Sequence, residues 1–147
     1  LGPTPLVERG RGKLRPPDRI GARGTDERRT DVSGLADSTC VVIASDTMGR
    51  GDDELGRQLM AKFVLQLSQQ MPKPHVMVFY NAGVRLLTSG SSCLEGLRTL
   101  EHEGTELLAC GTCIDYFKLR PEHAVGRITD MREIVATMNA AEKVVRI

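Results

Sequence analysis

The stretch "ELLACGTCIDYF", residues 106–117, begins in an apolar run and passes through two cysteines, Cys110 and Cys113, into a short segment of helical character. A run without polar alternation is the pattern of a strand covered on both faces. Only Gly111 and Thr112 separate the cysteines, and the glycine gives the backbone the freedom to turn from strand to helix there. Two earlier runs have the same character: "CVVIAS" at residues 40–45 and "HVMVFY" at residues 75–80. Each leads through a glycine-bearing loop to a segment with helical period. Strands that alternate with helices predict a mainly parallel sheet of about five strands with helices on both faces, a three-layer α/β/α arrangement.

Outward from these runs, Leu55, Leu59, Met60, Phe63, Val64 and Leu67 form a helical stripe. Asp52 or Asp53 can cap its start, and Pro72 and Pro74 stop it. Ser92 and Glu95 have capping-box spacing before Leu94, Leu97 and Leu100, and Gly104 ends that helix. After Pro121, "HAVGRIT" gives a weak fourth strand. Asp130 and Glu133 then repeat the cap pattern ahead of Met131, Ile134, Val135 and Met138, and "KVVRI" reads as an edge strand. Residues 1–38 mix Arg, Gly, Pro and Asp without either period, which predicts a poorly ordered tail or linker before one domain at residues 39–147.

Composition narrows the functional classes. The 147 residues carry a formal charge of +1 with 27% charged side chains, so no global field draws nucleic acid or an anionic membrane. No apolar run approaches the roughly 18 residues of a membrane span, and the first residues lack the apolar centre of a secretory signal. A cytoplasmic protein with reduced thiols is expected, because four cysteines at such uneven spacing do not form a disulfide framework.

In open parallel sheets, ligands gather beyond the carboxyl ends of the strands. Three loops should meet there: residues 46–54, 81–90 and 110–115. Cys110 ends its strand, and with Thr112 as N-cap Cys113 would fall in the first helical turn, where free amide groups favour a thiolate. Asp115 opposes that with nearby negative charge. A reactive pair, a thioredoxin-like redox pair and plain core residues all remain open for these thiols. Structural zinc would need a second ligand pair, which Cys40, Cys93, His75, His102 and His123 do not supply. Cys40 and Cys93 read as core residues. Asp46, Gly49 and Gly51 shape the first loop, whose acidic helix start and missing Lys-Ser ending argue against phosphate. Asn81 and Gly83 form a pocket wall or position a partner's sulfur, unless they only make a turn. No cofactor or metal is called for.

Residues 39–147 resemble the DsrE-like domain of the YedF family, the sulfurtransferase-like selenium metabolism proteins. The likeness rests on "SDTMGRGDDELGRQLM", "FYNAGVRLLTSGS", "GTELLACGTCIDYF" and "AVGRITDMREIV", in that order. It implies a persulfide-forming carrier of sulfur or selenium, a homo-oligomer or hetero-oligomer, with Cys110 at the acceptor position and Cys113 as the second cysteine of a Cys-Gly-Thr-Cys motif. Full-length members also carry a TusA-like domain with a Cys-Pro-x-Pro motif, whereas residues 1–38 hold no cysteine and are too short for that fold. The donor or acceptor is then a separate protein, such as a cysteine desulfurase or a free-standing TusA-like carrier.

Overall fold

A computed structural model describes residues 38–147. The tail expected at residues 1–38 lies outside the described residues except for Ser38, whose hydroxyl and carbonyl accept from the Glu142 amide at 3.0 Å.

Strands β1 (Thr39–Ile43), β2 (Val76–Phe79), β3 (Glu106–Cys110), β4 (Arg127–Thr129) and β5 (Lys143–Arg146) form one sheet in the order β4-β3-β2-β1-β5, and all neighbours are parallel. The chain steps from β1 to β4 in one direction and then returns to place β5 beyond β1. Right-handed crossovers put the outward connections on one face and the return on the other. Accordingly α1 (Asp53–Gln69) and α2 (Leu94–His102) cover the first face, where Met60, Val64, Leu97 and Leu100 pack on Val41, Ile43, Met77, Phe79, Leu107 and Ala109. On the second face α4 (Met131–Ala140) sets Ile134 against Cys40, Val42, Val76, Val78, Leu108 and Cys110. The short α3 (Gly111–Tyr116) follows β3, with Ile114 in the first core. The three-layer α/β/α architecture is the one expected.

Local chemistry explains most of the boundaries. Asp52 caps α1 by accepting the Leu55 amide at 2.8 Å, and Asp130 caps α4 by accepting the Glu133 amide at 3.0 Å. Gly104 at φ +110° ends α2 in a Schellman turn: Thr105 N–H reaches Leu100 O at 3.0 Å, and Gly104 N–H reaches Glu101 O at 3.2 Å.

Three expectations need correction. α1 is rotated from its expected stripe: it buries Gly56, Met60, Val64 and Ser68, while Leu55 and Leu59 are 53% and 39% exposed. Two close approaches set that rotation. A side chain at Gly56 would stand 2.8 Å from Thr47 Cβ, and one at Gly96 of α2 would stand 2.9 Å from Val64. Secondly, α4 buries only Ile134 fully and leaves Met131 and Val135 48% and 44% exposed, because one helix spans that face among the described residues. Finally, Ser92 does not cap α2. The hydroxyl of Ser91 instead accepts the Cys93 amide at 2.9 Å.

Candidate functional site

Chain direction changes faces at the carboxyl ends of β3 and β4, since β3 leads into α3 on the first-core side and β4 leads into α4 on the other. Such a switch leaves a crevice between the departing loops. Gly111 stands in it: a Cβ there would meet Thr129 O at 3.0 Å and Ile128 Cγ2 at 3.2 Å, so a side chain would press on the end of β4.

Strand alternation decides where the first sulfur goes. Leu107 and Ala109 face the first core, so Leu108 and Cys110 face the second, and Cys110 is 1% exposed. Cys110 itself holds the N-cap position of α3 without a side-chain cap bond, and Thr112 lies exposed within the helix, so the expected Thr112 cap is not formed. Cys113, half-buried, lies at the seam where both cores meet.

The second loop reaches this seam. After β2 the chain enters a 3-10 segment, Asn81–Leu87, with Asn81 in the left-handed region at φ +53°, a conformation that asparagine tolerates. Its amide donates to Cys113 Sγ at 3.0 Å across 32 positions of sequence. Gly83 makes the approach possible: a Cβ there would lie 2.2 Å from the carbonyl oxygen of Ile43, at the end of β1. Lys118, also left-handed at φ +55°, closes α3, as Leu119 N–H returns to Ile114 O at 2.9 Å.

The electrostatics differ from expectation. Burial pushes the Cys113 thiol above its ordinary range, the Asn81 N–H pulls it back, and the neighbouring Cys110 thiol raises it again. A six-residue helix does not outweigh that desolvation. Asp115 is turned aside: Arg120 holds it at 2.6 and 3.3 Å and keeps its carboxyl below the usual carboxylate range. Burial also raises Cys93, and it pushes Cys40 up to about 11, which suits inert core thiols.

The first loop stands differently. Ser45 and Thr47 hydroxyls meet at 3.0 Å, Met48 N–H bonds Gly56 O at 3.0 Å, and the loop thereby folds onto α1. Gly49 and Gly51 take φ +86° and +129°, left-handed backbone that suits glycine, and an added Cβ at either would meet nothing within 4 Å. Asp46 is half-buried there. Among the described residues no three His, Cys, Asp or Glu side chains gather as a metal cluster, and no helix is long and apolar enough to cross a membrane.

Sequence reasoning missed Arg85, whose guanidinium carbon sits 4.4 Å over the centre of the Phe117 ring, and Tyr116, which meets that ring edge-on at 5.3 Å and is 79% exposed. The available signal was spacing: Arg85 follows Asn81 by four residues, as Phe117 follows Cys113.

No family model and no curated protein matches the chain. Among solved structures it is similar to the ychN protein from E. coli, at 17% identity and a TM-score of 0.55 over 74% of this chain and 99% of that one. It is likewise similar to MTH1491 from Methanobacterium thermoautotrophicum, a protein of unknown function, at 18% identity and a TM-score of 0.55 over 74% of this chain and 97% of that one. At such identities the likeness is one of fold, and it agrees with the α/β/α architecture that the DsrE-like resemblance implies.

Proposed function

We propose that this chain carries sulfane sulfur, or selenium in its place, as a persulfide on the Cys110 and Cys113 pair. The observation that supports this best is the Asn81 amide aimed at Cys113 Sγ at 3.0 Å. A main-chain donor held there favours negative charge on sulfur, and both a thiolate and a bound persulfide anion bring such charge. The resemblance points to Cys110 as acceptor, but its 1% exposure bars it from a donor. First contact is therefore assigned to Cys113, with Cys110 behind it. Attack of Cys110 on the Cys113 persulfide would release hydrogen sulfide and leave a Cys110–Cys113 disulfide, a balanced route for discharge. Reduced thiols fit a cytoplasmic setting, and a separate donor protein and a homo-oligomer remain part of the proposal.

The test is to treat the full chain with a cysteine desulfurase and cysteine and to follow intact mass. Cys110→Ser, which lacks the internal discharge route, should gain one reductant-labile sulfur; wild type should carry the same sulfur or end as the Cys110–Cys113 disulfide, and Cys113→Ser should gain none. A Cys110→Ser chain that gains nothing, or a Cys113→Ser chain that gains as much as Cys110→Ser, would overturn the assignment. The closeness of the two thiols also supports a second reading, dithiol redox exchange. That reading expects an internal disulfide that oxidises a client, with no persulfide at any stage.

A further inference from the structure

Arg85 has no part in the sulfur chemistry described so far. The Asn81 amide meets Cys113 at 3.0 Å, and four residues along each segment the Arg85 guanidinium stands 4.4 Å over the Phe117 ring. Both contacts join the same two segments, the 3-10 segment on one side and α3 with its C-cap Phe117 on the other, so Arg85 stands further along the seam that begins at Asn81 and Cys113. Stacking fixes the guanidinium by its face and leaves its N–H edge for a planar anion. Two other arginines are engaged: Arg120 holds Asp115 at 2.6 Å, and Arg127 holds Glu106 and Glu133 at 2.7 Å each. Among the described residues Arg85 has no carboxylate partner, and neither has Lys118, exposed at the end of α3.

We infer that the site accepts sulfur directly from a low-molecular-weight persulfide bearing a carboxylate, with the carboxylate on Arg85 and the sulfane sulfur at Cys113. This rests on the sulfur-carrier reading and adds the class of donor. In the transfer, the Cys113 thiolate attacks the sulfane sulfur of R–S–SH. The new Sγ–S bond forms as the donor S–S bond breaks, and the bonding pair leaves on R–S⁻, which takes up the proton lost by the Cys113 thiol. The sum is Cys113–SH plus R–S–SH giving Cys113–S–SH plus R–SH, with no oxidant consumed.

Glutathione persulfide and the persulfide of glutathione diethyl ester serve as probes, because they share sulfur chemistry and differ in carboxylate charge. At low ionic strength the acid should load Cys113 about threefold faster than the ester, in keeping with one exposed ion pair. Added salt should shrink the ratio. Arg85→Met, which keeps a long apolar stem but removes the charged, stacked guanidinium, should bring it to about one, and Arg85→Lys should restore part of it. Equal loading by acid and ester in wild type, or an unchanged ratio in Arg85→Met, overturns the inference. Loading from the desulfurase alone, with neither small persulfide active, also overturns it while sparing sulfur carriage; failure with every donor removes the carrier reading as well.

Discussion

On one face of the sheet, α1 and α2 close together over Phe79, Met77, Ile43 and Leu107; on the other, α4 is the one helix among the described residues that lies over Val42, Val78, Leu108 and Cys110. The first core also takes in the 3-10 segment through Val84, Leu86 and Leu87, and α3 through Ile114. Among the described residues the second offers Ile134 as its one fully buried helical side chain, and beside it Met131 and Val135 are exposed. Cohesion is concentrated on the first face, and the sulfur pair stands where that face gives way to the thinner one. Cys113 packs against both cores, so it is firmly placed without being sealed.

The contrast can be broken most forcefully at its centre. Phe79→Ala should cost about 3–5 kcal/mol in chemical denaturation, whereas Ile134→Ala should fall near 2 kcal/mol, because a face roofed by one helix among the described residues can settle into the space left. Equal losses would mean that α4 is held as rigidly as the paired helices. A smaller effect is expected of Gly83→Ala, whose added carbon meets the Ile43 carbonyl at 2.2 Å. Backbone must move, at a cost of about 1–3 kcal/mol, and Cys113 should lose the Asn81 donor before the sheet melts. Persulfide loading by mass together with the denaturation midpoint separates these two consequences. The mildest change concerns pH. Because the Cys113 thiol lies above its ordinary value of 9.0, its thiolate is scarcer at neutral pH than that of a free cysteine and grows as pH rises through and beyond that value. The iodoacetamide alkylation rate should follow this curve. Cys110→Ala, which removes one raising influence, should shift the midpoint down; a wild-type midpoint at or below 9.0 would contradict the burial described.

Much of the sheet was legible because its signals are local. The apolar run ending at Cys110 gave the β3 limits, and Asp52, Asp130 and Gly104 marked helix ends through their own backbone chemistry. Helix rotation was not legible. Leu55 and Leu59 are as apolar as Met60 and Val64, and only the close contacts at Gly56 and Gly96 decide which of them turn inward. Among site residues, the cysteines and Asn81 stood out by type and place. The bond from Asn81 to Cys113 joins positions 32 apart, and nothing in either segment alone announces it. Arg85 was invisible for the same reason: its meaning depends on a ring supplied by another loop.

The narrow slot at Gly83 has a use beyond this molecule. A chain that builds the same amide-to-sulfur contact by this route needs a residue at ease in left-handed backbone, a glycine two places later, and a cysteine 32 places beyond the first. Those three points, read together with Cys-x-x-Cys, make a fingerprint for sifting distant sequences that share the fold but not its chemistry.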